Sequence, residues 1–265
     1  MFRLSVRSSE LISPSMMRVT VGGDELKGFA HLGYDHWFRL FLRLPHQDRF
    51  DLPDLPREKW WTTYLAIPEE ERRHCANHTV AAYHEDEGEL DIDFVIHRGR
   101  DGRLEGAAAI WAESARPGEE LAILDQGLLF DRPDDAAHVI IVADESGLPA
   151  TAAILRSLPR HLTGHVIQEV PAHLDRRALE APEGFEVHWI VRDDHDPHSV
   201  PGHAALQRLR TLTAPEPTAY AFVIGESTLA TEGRRHLHRH GLPKNRITFS
   251  GFWKHDAEVE QAEAA

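Results

Sequence analysis

Cysteine is nearly absent from this 265-residue chain, in which Cys75 stands alone. One thiol permits no internal disulfide, so a reducing compartment is the expected home. No apolar run reaches the ~18 residues that a membrane-spanning helix requires. The opening residues, MFRLSVRSSELISPSMM, lack the apolar core of a secretory signal, and these absences together predict a cytoplasmic protein. Positive charge is also scarce, with 29 Lys and Arg against 43 Asp and Glu and a formal net charge of −14. That balance repels nucleic acid and acidic membranes and leaves room only for a local basic pocket that binds an anion. The glycine fingerprint of a dinucleotide-binding Rossmann turn, G-x-G-x-x-G, is missing too. What is present, 42% hydrophobic residues, suffices for one or two ordinary cores.

The first half reads as short strands: FRLSVRS, MMRVTVGG, HWFRLFLRL, HTVAAY and ELDIDFVIH. In the last, Leu90, Ile92, Phe94 and Ile96 share one face while Asp91, Asp93, Val95 and His97 share the other, the alternation of a strand with one side in a core. Several such strands predict a small antiparallel barrel. Residues 45–75, rich in proline and charge, interrupt it as a long loop or partly helical excursion. After the polar segment FDRPDDAA the rhythm changes. The apolar strands HVIIVAD, HVIQEVP, FEVHWIV and AYAFVIG alternate with helical stretches, which predicts a parallel sheet covered on both faces. The expected organisation is a barrel over 1–131, an α/β domain over 132–255 and a loose acidic tail over 256–265. Two turns at strand ends, ADESGLPA and GESTLA, lead into helices whose free amides would attract anions.

Several clusters invite a chemical reading. In RRHCANHTVAAY, Cys75 lies between His74 and His78, the ingredients of a metal or nucleophile site. As a strand, however, it places His74, Ala76 and His78 on one face and Cys75, Asn77 and Thr79 on the other. His236 and His240 fall four apart on a predicted helix, but a solvated helix face explains them without a third ligand. RDDHDPHSV reads as a polar loop. Asp144 and Glu145 close a strand but are assigned no catalytic step, and Trp60-Trp61 reads as packing beneath the long loop. No metal site is predicted.

Three segments resemble one family, the siderophore-interacting proteins, which are flavin-dependent ferric-siderophore reductases. GELDIDFVIH followed by GAAAIWAESARPGEEL is similar to its Phe-Val-Leu-His strand and Gly-Pro-Ala-x-x-Trp helix. VADESGLPATAAILRSLP is similar to its Asp-Glu-Thr-Ala-x-Pro-Ala turn, and GESTLATEGRRHLHRHGLPKNRITFSGFWKH to its ending in Ser-Gly-Tyr-Trp. The resemblance covers about residues 1 to 254. It implies a six-stranded antiparallel flavin-binding barrel followed by a parallel-sheet α/β domain of the nucleotide-binding type. It further implies FAD as cofactor, NAD(P)H or ferredoxin as electron donor, a ferric siderophore as substrate, and a monomer.

The family's Arg-x-Tyr-Thr strand, which serves phosphate and flavin ring, aligns with Ala76, Asn77, His78 and Thr79, followed by Val80. Its second-strand histidine and helix start align with His97, Gly106, Ala107, Ala108 and Trp111. The family's basic residues for an anionic chelate point to Lys254, with Arg246 and Lys244 beside it. The chain departs from the pattern at Ala76 and Ala81, where arginines are expected, at His78 in place of tyrosine and at Ala107 in place of proline. Each charged hydrogen bond lost is worth about 1.5–3 kcal/mol, roughly one to two decades of affinity. Arg98, Arg100 and Arg103 are cations on the neighbouring loop that could compensate. The alternative implied by these departures is a family member with a degenerate flavin site that binds a siderophore without redox chemistry.

Overall fold

The computed structural model describes residues 1–99 and 102–255, so Arg100 and the tail over 256–265 lie outside the described residues. The chain divides into two compact units, Met1–Leu129 and a second from Phe130 onward.

The first unit is a closed barrel. Its strands are β1 (Phe2–Ser13), β2 (Met16–Gly22), β3 (Trp37–Leu42), β4 (His74–His84), β5 (Glu89–Val95) and, past a short ribbon of β6 (His97–Arg98) and β7 (Leu104–Glu105), β8 (Glu120–Gly127). They close in the order β1-β2-β5-β4-β3-β8, and every barrel pairing is antiparallel. Strand β8, ELAILDQG, is the barrel member that the sequence reading passed over; its Leu121–Leu124 run is fully apolar and buried. Inside the barrel, Leu40, Val80, Leu90, Ile92, Phe94 and Ile123 form one core, which Trp111 and Ala112 of a helix extend. The excursion over 45–73 holds only a six-residue helix, α1 (Trp60–Leu65), and a 3-10 turn at Glu69–Glu71. Its Leu52, Leu55 and Tyr64 pack with Phe41, Ala122 and Leu124 as a second, outer core.

One expectation about β5 needs correction. Leu90, Ile92 and Phe94 do face the core, but Asp91 and Asp93 are also buried, each 5% exposed. Arg18 on neighbouring β2 covers them, donating through Nε and Nη2 to the two Asp93 oxygens at 2.8 and 3.1 Å. Thr20 donates to Asp91 at 2.7 Å. Cross-strand pairing thus replaces water on that face.

The second unit is a five-stranded parallel sheet, β9 (His138–Ala143), β10 (Thr163–Val170), β11 (Gly184–Val191), β12 (Tyr220–Glu226) and β13 (Ile247–Trp253). The order is β11-β10-β9-β12-β13. Chain progression therefore reverses between β9 and β12, the switch point outside whose carboxyl ends such sheets bind ligands. Three helices connect the strands: α3 (Leu148–Ser157), α4 (His203–Arg210) and α5 (Ser227–Arg239). The helix of the first unit is α2 (Ala107–Ser114). Helices α4 and α5 bury Leu206, Leu209, Leu229 and Leu237 against Ile140, Val142, Ile167 and Val223. Strands β9 and β12 are buried at successive residues, hence on both faces of the pleat, which accounts for their continuous apolar runs. None of the helices among the described residues is long and apolar enough to cross a membrane.

Candidate functional site

The altered stretch of β4 occupies an unusual place. Its ladder with β5 runs from His84–Glu89 only to Val80–Ile92. Residues 74–79 continue past that point, paired among the described residues with β3 alone, through Leu42–His74 to Trp37–Thr79. The strand edge facing β5 is therefore open over this stretch, and His74, Ala76 and His78 are half-buried along it. They register with Leu42, Leu40 and Phe38, whereas Cys75, Asn77 and Thr79 register with Phe41, Arg39 and Trp37. The expected separation of the cysteine from the histidines is what the register shows. Cys75 packs into the outer core, and burial pushes its thiol up to about 11, so it is no nucleophile.

His78 fits the role of a flat, neutral ring. Burial, followed by the neighbouring His74, holds its pKa down to about 4. Its ring centroid lies 4.7 Å from Phe94, which is in turn 5.7 Å from Trp111 of α2. This chain of rings ties the open edge to the helix. Asn77 accepts a hydrogen bond from Arg39 on the opposite face, and that guanidinium sits 5.0 Å above each of the Trp37 and Trp60 rings. Arg39 is thus committed away from the open edge.

Helix α2 lies at the far end of this chain of rings. Gly106 precedes it with φ 84, a left-handed value natural to glycine, and no side chain caps the helix start. A Cβ on Gly106 would meet no atom of the described residues within 4 Å. Main-chain amides at a helix start bind phosphate. His97 pairs with Glu105 across the β6–β7 ribbon, adjacent to Gly106. Arg98 is held by Glu113 at 2.8 Å. The free amides at the start of α2 and the neutral ring of His78 are groups of the kind that FAD requires, with fewer cations than the family pattern has. Two residues of the predicted set lie inside the barrel core. Val80 and Trp111 are 0% and 3% exposed within the barrel core, and Trp111 Nε1 donates to Glu119 at 3.0 Å. Their contribution is to place β4 and α2.

In the second unit the two strand-end turns differ from the sequence expectation. Glu226 closes β12 and caps α5, accepting from the Thr228 and Leu229 amides at 2.5 and 3.3 Å. Asp144 closes β9 and accepts from the Ser146 amide at 2.9 Å. At α5 the chain's own carboxylate therefore occupies the amides that were expected to attract an anion, whereas Asp144 caps only the 3-10 turn ahead of α3, whose own start carries no side-chain cap. Asp144 also accepts from the Glu226 amide at 2.6 Å and from Trp253 Nε1 at 3.2 Å. Burial, then the adjacent Glu145, raises its carboxyl from 3.8 to about 7 against these donors. Because the folded chain holds that proton more tightly, the contribution to stability is present below about pH 4 and lost as pH rises through about 7. Asp144→Asn is expected to lower stability by about 1–3 kcal/mol, through an acceptor lost to the Glu226 amide and Trp253. Denaturant unfolding at several pH values should also show the wild type losing stability relative to the variant between those limits.

Lys254, Arg246 and Lys244 are not brought together. Lys254 follows β13 at its carboxyl end, beside Trp253 and His255, whose amide donates to Glu226 at 3.3 Å. Lys244 and Arg246 form a 3-10 turn at the strand's amino end. At about 3.3 Å per residue the two ends lie roughly 25 Å apart. Arg246 is moreover paired with Asp135 at 2.5 Å and with the Thr218 carbonyl at 2.9 Å. One small anion cannot meet all three.

A flavin-type barrel with an open β4 edge, joined to a parallel sheet of this order, defines an FAD-dependent oxidoreductase of the ferredoxin-reductase-like class. Residues 5–128 match the siderophore-interacting FAD-binding domain, and residues 136–256 match the siderophore-interacting protein domain. The chain belongs to the siderophore-interacting protein family. It is 27% identical over 261 residues to the NADPH-dependent ferric-chelate reductase of Escherichia coli, covering 94% of this chain and 91% of the relative. It is 28% identical over 251 residues to the ferric vibriobactin reductase ViuB of Vibrio cholerae, covering 94% and 88%. A solved siderophore utilization protein from T. fusca superposes with a TM-score of 0.81 at 26% identity, covering 97% of this chain and 93% of the other. SipS from Aeromonas hydrophila superposes at 0.74 and 26%, covering 96% and 98%.

Proposed function

We propose that the protein is a ferric-siderophore reductase that takes electrons from NAD(P)H or ferredoxin and reduces siderophore-bound Fe(III), releasing Fe(II) in the cytoplasm. The observation that carries this reading is the parting of β4 from β5 over residues 74–79, linked through the His78, Phe94 and Trp111 rings to α2, whose start is uncapped. Bound there, FAD would supply the carrier between a two-electron donor and a one-electron acceptor. The Ala107 and Ala108 amides would hold its phosphates, His78 would offer a neutral ring face and His97 a polar group beside the helix start, while Asn77 and Thr79, on the other face of β4, fix the strand against Arg39 and Trp37. With NAD(P)H as donor, one hydride equivalent balances two ferric ions reduced, with NAD(P)⁺ and a proton released. No general acid is needed at the iron, which gains only an electron.

Lys254, exposed and directly after β13, is the cation assigned to an anionic chelate. Lys254→Glu should reduce kcat/KM for an anionic ferric siderophore about tenfold, an effect weakened by salt, with the flavin spectrum unchanged. Ala76 and Ala81 favour a second reading, a siderophore-binding protein whose flavin site has degenerated. Purified protein incubated with excess FAD and then desalted decides between the two. Bound flavin near one per chain together with ferric-chelate reduction supports the reductase. Colourless protein without reductase activity leaves the binding protein.

A further inference from the structure

The face of the parallel sheet that packs against α4 turns polar toward the amino ends of its strands. His165 pairs with Glu186 across β10 and β11, and Glu186 and His188 share a side of β11. The His165 and His188 rings stack with centroids 5.6 Å apart, and His138 meets the His165 ring edge-on at 5.3 Å. Glu186 Oε2 lies 3.5 Å from His165 Nδ1 and Oε1 lies 3.6 Å from His188 Nε2. All three ligand atoms lie within 4.8 Å of one another.

Neither facing nitrogen makes a hydrogen bond among the described residues, although both are shielded from water. An imidazole nitrogen left without a partner in a buried position is costly, and two aimed at one carboxylate need a common cause. Ion–nitrogen and ion–oxygen bonds of about 2.0–2.2 Å put tetrahedral ligands roughly 3.3–3.6 Å apart. Glu186 already stands at that separation from each imidazole nitrogen, through a different oxygen in each case. We propose that His165, Glu186 and His188 form a divalent transition-metal site of the Zn²⁺ type. Its ligand set is two imidazoles and a carboxylate, with the fourth position open on the side of the exposed Glu186.

The surrounding groups set the proton inventory. Arg208 Nη2 donates to His188 Nδ1 at 3.3 Å, which leaves the proton of the neutral ring on Nε2. Burial keeps that ring's pKa below its ordinary value. Ion binding at Nε2 moves this proton to Nδ1 and displaces Arg208, which retains its 2.7 Å bond to Thr211. Arg208 therefore opposes the ion both by charge and by tautomer. The site lies at the amino edge of the sheet, whereas Asp144, Glu226 and Lys254 mark the carboxyl edge.

The test is Zn²⁺ titration of the full chain against a chromophoric chelator, in a His236→Ala, His240→Ala background that removes the imidazole pair on α5. One Zn²⁺ per chain is expected, weakened at least about tenfold by Glu186→Gln or His188→Gln. Arg208→Met is expected to strengthen it severalfold. Thermal unfolding without metal establishes that each variant is folded, and a Co²⁺ spectrum of tetrahedral type that disappears in His165→Gln, His188→Gln gives a second readout. Absence of Zn²⁺ binding by the parent, or equal affinity in that double variant, overturns the proposal.

Discussion

Ala76→Arg should tighten FAD binding about ten- to a hundredfold, the worth of one charged hydrogen bond to phosphate. Ala76 lies on the open edge of β4, half-buried, on the face that carries His78. Strand β5 does not pair with β4 there, so a guanidinium at this position meets no partner strand in the ladder. Nearby cations are otherwise engaged. Arg18 is bound to Asp93, Arg39 is held by Asn77 and two tryptophans, and Arg98 by Glu113. Fluorescence titration of the flavin-free protein gives the ratio directly. Unchanged affinity would mean that the phosphates do not lie between Ala76 and α2. Ala81→Arg is the control, because Ala81 lies past the opening, beside the β4–β5 ladder.

Arg192→Leu is expected to destabilise the second unit by about 3–5 kcal/mol, because it strands two buried carboxylates. Arg192 is 5% exposed and bridges Glu145 at 2.5 and 3.1 Å and Glu169 at 2.8 Å. Burial disfavours the guanidinium charge, but Glu145 and Glu169 outweigh it and raise its pKa further. Glu169 also accepts from the Ala205 amide of α4 at 2.8 Å, so the cluster joins the turn before α3, strand β10 and helix α4. Chemical denaturation measures the loss. The triple change Arg192→Leu, Glu145→Gln, Glu169→Gln should recover part of it, since it is the uncompensated charge and not the missing contact that costs most. A loss below about 1 kcal/mol in the single variant would show that water replaces the guanidinium.

The alternation in β5 and the apolar runs of β9, β10 and β12 were readable because they record which faces are covered. The barrel and the parallel sheet follow from them. Strand β8 escaped because its four apolar residues in a row carry no alternation, and Leu124 faces the outer core instead of the inner one. The burial of Asp91 and Asp93 was illegible because it depends on Arg18, more than seventy positions away. The same holds for the open edge of β4. Register against β5 is a tertiary property, and no local feature of RRHCANHTVAAY marks where the ladder stops. The grouping of Lys244 and Arg246 with Lys254 failed for a more elementary reason. A strand of seven residues separates them, and its length alone forbids a shared small ligand.

The parted strands also bear on how the polypeptide survives before it is loaded. A sheet margin without a neighbour is a template for pairing with another chain. Residues 74–79 form such a margin in the middle of the barrel wall. A bound nucleotide would cover it, and at a hundredfold excess over Kd it would add about 2.7 kcal/mol by mass action. Synthesis during flavin shortage should therefore yield aggregates seeded at β4, and riboflavin supplied during expression should raise the soluble yield before any iron is reduced.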